Sequence, residues 1–233
     1  MTQRVFVAGA TGFVGKALVA EARRQGAQVW AHVRPDSKQL QQWQAFFDDL
    51  GADVSTAAWQ PEAMAAELRR LAPTLIFCCI GTTAKRMGQD GKAANSYEAI
   101  DFGLTKLLAD AAQQAGGIER LTYVSSLGAG PNAAGQYLQW RYRAEQAVQA
   151  CSVPWTIARP SFITGSRDES RPAEHYGAIV VDALLKGLGV LGATTTRDRY
   201  RSTNDVILAR ALWRIALQPE AAGQVILSGD LRK

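Results

Sequence analysis

Two periods of apolar residues alternate along this chain. Short apolar or β-branched runs at residues 4–8, 27–33, 52–56, 74–80, 121–125 and 155–158 predict strands. The segments between them carry apolar residues at helical spacing. Phe13, Val14, Ala17 and Leu18 form one such face, and Gly26 stops that helix. Residues 38–50, residues 61–71 opened by Pro61, residues 97–115 and residues 137–150 read the same way. The run TLIFCCI at 74–80 is almost continuously apolar, as a central parallel strand covered on both faces requires. Regular strand–helix alternation predicts right-handed crossovers and an α/β, doubly wound parallel sheet.

After Arg159-Pro160 the pattern loosens. An apolar helix is expected at 178–188, then a Gly/Thr-rich stretch. Ser202-Thr203-Asn204-Asp205 resembles a capping box ahead of a helix running through Leu217, and 225–227 reads as a last strand. Without repeats or a linker, residues 1–233 read as one domain with a small C-terminal substrate lobe at 160–203 over the strand ends.

Composition narrows the function classes. The 233 residues suffice for one sizeable core. A net charge of +5 is mildly basic, but its densest groupings (Arg23-Arg24, Lys85-Arg86, Arg197 to Arg201) are short. That favours an anionic small ligand over nucleic acid. Three cysteines make no disulfide framework, and the chain opens with a strand and glycines rather than a leader, so a reducing, cytoplasmic setting is expected. No apolar run is long enough to span a bilayer. With His32 and His175 as the two histidines and no Cys/His cluster, no metal site is expected.

The first turn carries the sharpest signal. VFVAGATGFVG places Gly9, Gly12 and Gly15 three apart, directly after a strand and into a helix. Gly9 permits a tight turn, Gly12 lets a pyrophosphate approach the backbone, and Gly15 lets helix and strand pack closely. The helix N-terminus aims amide groups and a positive dipole end at the phosphates. Gly9, Ala10, Thr11, Gly12, Phe13, Val14 and Gly15 are therefore the expected dinucleotide cradle of a Rossmann-like sheet. GATGFVG resembles the turn of extended and atypical short-chain dehydrogenase/reductases.

The second strand runs out into His32-Val33-Arg34-Pro35-Asp36. An acidic residue at this point binds the ribose 2′-hydroxyl of NAD, and an arginine accommodates the 2′-phosphate of NADP. Arg34 stands in the reading position, with Ser37 or Lys38 beside it, so NADP(H) is expected; Asp36 keeps NAD open. Gly81, Thr82 and Thr83, at the end of the fourth strand, suit contacts to the cofactor's ribose and phosphates. Cys78 and Cys79 read as packing, since nothing nearby would depress a thiol pKa.

Ser125 and Ser126 end the fifth strand, and Tyr137 opens the next helix. Resemblance to the short-chain reductases implies a serine that hydrogen-bonds a substrate carbonyl and a Tyr-x-x-x-Lys pair. There the tyrosine exchanges the proton, and the lysine one turn on supports the tyrosinate and binds the nicotinamide ribose. This chain has Tyr137-x-x-x-Arg141. Arginine keeps the charge but cannot lose a proton, and its fork is bulkier. The competing expectation is a packed Tyr137 with Arg141 paired to Glu145 on the surface. Either serine fits the substrate position, with Ser126 preferred.

CCIGTT, Asp101, SSLGA, Tyr137-Leu138-Gln139, Arg159-Pro160 and the 167–172 segment together resemble the Tat-interacting-protein-like branch of atypical short-chain reductases. That resemblance implies a compact NADP(H)-binding oxidoreductase and, at family level, a homodimer through the helices around 97–115 and 137–150. Pro160, Phe162 and Ile163 would border the nicotinamide; Arg167 and Arg171 would either meet an anionic substrate or pair with Asp168 and Glu169 in a salt-bridged loop. The expected partner is a small carbonyl or alcohol. Two alternatives remain open: a redox sensor or interaction protein that binds NADP(H) without turnover, and a nucleotide-sugar epimerase or dehydratase, for which the region after the sixth strand is short.

Overall fold

A computed structural model describes residues 2–82, 96–161, 163–164 and 203–232. Seven strands form one parallel sheet: β1 (Arg4–Ala8), β2 (Gln28–His32), β3 (Asp53–Ser55), β4 (Leu75–Cys78), β5 (Arg120–Val124), β6 (Trp155–Arg159) and β9 (Gln224–Leu227), ordered β3-β2-β1-β4-β5-β6-β9. Chain order reverses between β1 and β4, which opens a crevice at their carboxyl ends. β7 (Ile163–Thr164) and β8 (Thr203–Asn204) pair in parallel as a separate two-stranded ladder. The expected helix at 178–188 and most of the expected lobe lie outside the described residues.

Strand alternation feeds two apolar layers. On one face Val5, Val7, Leu75 and Phe77 pack with α1 (Phe13–Arg24), α2 (Leu40–Asp49) and α6 (Asp205–Leu217). On the other, Phe6, Ala8, Ile76 and Cys78 pack with α3 (Pro61–Leu71), α4 (Thr105–Ala115) and α5 (Gln136–Ala150). Burial on both sides is why β4 lacks polar alternation. Each fully buried large side chain there contributes about 1.5–3 kcal/mol.

Two local expectations change. The helix expected over 97–115 begins with a π-helical stretch, Glu98–Leu104, before tightening into α4. Wide turns of this kind are rare and often mark functional positions. The cap of α6 is Asn204, whose Oδ1 accepts from Ile207 N at 2.7 Å, two residues beyond the serine at which the capping box was expected.

Candidate active site

The carboxyl ends of β1, β4, β5 and β6 converge on one region, and the glycine turn forms its floor. Gly9 has φ +78°, and a Cβ there would lie 2.7 Å from the carbonyl carbon and oxygen of Cys79. At Gly15 a Cβ would run into the Gly9 carbonyl and come within 2.7 Å of Ala10 Cα. These two glycines are demanded by the close approach of β1, β4 and α1. Gly12 differs: a Cβ would meet one atom, Gly9 O, at 3.1 Å, and φ is −76°. Its bare backbone is thus largely spare to the fold. Gly12 also opens α1 with no side-chain cap, and no acidic residue stands in the first turn. Gly9 through Gly15, with Ala10, Thr11, Phe13 and Val14 between them, fit a diphosphate: close backbone, an uncapped helix start and no opposing negative charge.

Arg34 is exposed beyond β2, and its Nε lies 3.7 Å from the equally open Asp36. His32, two residues earlier, is buried; its Nε2 bonds Ala57 O at 2.8 Å and its ring meets Trp59. Burial lowers its pKa.

Arg141 is the hub of the site. It is buried on the inward face of α5, and its Nη1 donates to Ile80 O and Tyr123 Oη, both at 2.9 Å, and to Val124 O at 3.1 Å. Its Nε donates to Tyr137 Oη at 3.2 Å and stands 3.1 Å from Asp101 Oδ1. Burial works against the charge, but Tyr123, Tyr137 and Asp101 hold the guanidinium's pKa well above its usual value. Asp101 is fully buried in the π-helical stretch, and its other oxygen accepts from Thr82 N at 3.1 Å. Burial pushes this carboxyl up from its usual range, while the arginine and the amide oppose that rise. Tyr137 is half-buried, with its ring 5.3 Å from that of Tyr97.

Glu145 corrects the expected surface pair. It lies one turn beyond Arg141 on the same helix face, fully buried, and its partners are elsewhere. Arg159 Nε and Nη2 donate to it at 2.8 and 2.5 Å, and the Ser125 hydroxyl donates to it as well. Ser125 is buried, whereas Ser126 is half-buried, its hydroxyl 3.4 Å from Leu127 O. The serine segment continues the sheet: Ser125 N donates to Ala158 O and Leu127 N to Pro160 O. Ile163 packs on the α1–α6 layer. Thr83, Phe162, Arg167 and Arg171 lie outside the described residues.

Tyr137, Arg141, Gly81 and Thr82 are therefore brought together around Asp101; Ser125 joins α5 through Glu145, Ser126 follows it in the chain, and Arg34 stands apart at the next strand. Asp101 and Glu145 were not predicted as site residues. The i, i+4, i+8 spacing of Tyr137, Arg141 and Glu145 was the signal that could have placed Glu145 inside. Cys78 is buried at the end of β4, in the layer packed by α3, α4 and α5, where burial raises its thiol pKa, as packing rather than chemistry requires.

The profile of a family described as NAD(P)H-binding matches residues 9–187. The mitochondrial protein fmp52 of Aspergillus niger is 33% identical over 154 residues, covering 64% of this chain and 60% of its own length. The chloroplastic protein TIC 62 of Oryza sativa is 29% identical over 199 residues, covering 79% of this chain and 40% of its own. The chain thus spans between two and three fifths of these relatives. Among solved structures, WbmG of Bordetella bronchiseptica in complex with NAD and UDP superposes with a TM-score of 0.66 at 16% identity, over 98% of this chain and 74% of that one. UDP-N-acetylglucosamine 4-epimerase of Bacillus cereus gives 0.66 at 14% identity, over 98% and 79%. These two share the fold. Among the described residues no helix is long and apolar enough to cross a membrane, and no group of His, Cys, Asp and Glu could hold a metal ion.

Proposed function

The chain belongs to the NAD(P)H-binding family of atypical short-chain dehydrogenase/reductases, and from that premise we propose that it is an NADP(H)-dependent oxidoreductase acting on a small carbonyl or alcohol. The observation that carries this reading is the Tyr137 hydroxyl, held 3.2 Å from a buried, permanently charged Arg141 at the carboxyl ends of β4 and β5. The bound dinucleotide supplies or accepts the hydride. The chain's part is the rest. Gly9 to Gly15 seat the diphosphate. Arg34, exposed at the end of β2 and only loosely paired, meets the 2′-phosphate. Tyr137 exchanges the proton at the substrate oxygen, and the Nε–H of Arg141, donating to its hydroxyl oxygen at 3.2 Å, holds that oxygen in place. Ser126 hydrogen-bonds the carbonyl, because the Ser125 hydroxyl is engaged by Glu145. Arg141 cannot relay a proton, so the proton lost or gained by Tyr137 passes to solvent.

The test is NADPH oxidation against a panel of small carbonyls, with Tyr137→Phe as the control. The variant is expected to lose turnover by at least about a hundredfold, as removal of a general acid does, while binding NADPH as before. A second reading is a sensor that binds NADP(H) without turnover; the Asp101–Arg141 pair, which ties up the cation, favours it. NADPH binding with no oxidation by any carbonyl, unchanged in Tyr137→Phe, would select the sensor. The proposal extends to a reducing, cytoplasm-like compartment, in keeping with free Cys78, Cys79 and Cys151. It also extends to self-association through α4 and α5, measurable by light scattering.

A further inference from the structure

The room that Arg141 needs comes from a residue with no side chain. A Cβ built on Gly81 would overlap Nη2 of Arg141 and stand 3.2 Å from its Cζ; the next atom, Asp101 Oδ1, is at an ordinary 3.5 Å. Gly81 is not among the glycines with positive φ, so its backbone admits alanine. One side chain alone excludes a Cβ. That side chain cannot swing away without losing the bonds to Ile80, Tyr123, Val124 and Tyr137 and the Asp101 pair. A lysine has as many bonds from Cα to its nitrogen as an arginine has to Cζ, so its head group ends where Cζ lies and the overlapping atom is missing.

We propose that Gly81 is a positioning residue for Arg141: its missing side chain is the seat of the guanidinium, and arginine at 141 requires glycine at 81. The seat sets Nη2 beside the backbone at the end of β4. Among the described residues no acceptor bonds Nη2, which leaves it to the cofactor's ribose. That last role rests on the function proposed above; the seat itself does not.

The experiment compares the native chain, Gly81→Ala, Arg141→Lys and the double variant by NADPH fluorescence titration and thermal melting. Gly81→Ala is expected to weaken NADPH binding about tenfold and lower Tm in the native background, and to weaken binding less than about threefold in the Arg141→Lys background, a coupling usual for touching residues. A double variant that folds where Gly81→Ala does not supports the seat equally. Equal losses in both backgrounds overturn it, because Gly81 would then act by direct contact with the cofactor or by packing. So does a Gly81→Ala variant that behaves as native, or one that folds in neither background. If the native chain binds neither NADPH nor NADH, the proposed function falls, and the melting data decide the seat alone. A larger Tm drop with arginine at 141 than with lysine keeps it; an equal drop removes it.

Discussion

Neutralising Glu145 probes the charge pair buried beneath the serine segment. Its carboxylate is fully buried and serves two donors, Arg159 and Ser125. Breaking a buried pair by removing one partner costs about 3–5 kcal/mol, because the other charge is left uncompensated. Two features reduce that here. The Arg159 side chain is 21% exposed and can recover water, and glutamine keeps an acceptor for Ser125. Glu145→Gln should therefore cost about 2–3 kcal/mol. In a chain of this size that is a Tm drop of about 5–10 °C by circular dichroism or scanning fluorimetry. The effect should also be coupled. With Arg159→Gln already present, Glu145→Gln should cost about 1–2 kcal/mol less, since no stranded cation remains. A Tm within about 2 °C of the native value, or additive losses in the double variant, would refute the claim that this pair ties α5 to the ends of β5 and β6.

The two kinds of glycine in the first turn should separate. Gly15→Ala should lower stability by about 1–3 kcal/mol through overpacking, whereas Gly12→Ala should melt near the native temperature yet bind NADPH more weakly; the reverse order in melts and titrations would overturn the cradle. Arg34→Ala should shrink the ratio of NADPH to NADH affinity, measured by parallel titrations, and an unchanged ratio would remove Arg34 from the 2′-phosphate site. His32 gives a pH dependence. Its folded pKa is lowered by burial, so the unfolded chain takes up the proton first as pH falls. Stability should be full above about pH 6.5 and decline below it. The Tm difference between pH 7.5 and 5 should narrow in His32→Gln, and an unaltered difference would exclude this histidine as its source.

How much of the site could be read in advance follows from what each signal reports. Apolar periodicity located every strand of the main sheet to within a few residues, because burial on one or both faces is a local property of sequence. The π-helical start of α4 was not readable, since its residues suit an α-helix equally. What accompanies the wide turn is Asp101 meeting Thr82 N and Arg141, residues 19 and 40 positions away. α5 misled for a related reason. Arg141 and Glu145 suggest solvent on a helix rich in polar residues, yet both are buried with Ala144 and Val148.

The order of residues along the chain was enough to establish the doubly wound sheet, the glycine turn after its first strand, and the helix that bears Tyr137 and Arg141. All of these depend on neighbours a few positions apart. Which charge meets which was settled by folding. Arg141 finds Asp101 rather than Glu145, Glu145 finds Arg159 and Ser125, and Gly81 lies under a guanidinium sixty residues further on. Parallel strands bring distant segments to one edge of the sheet. There a buried charge takes the partner that compensates its lost hydration, whatever stands beside it in sequence.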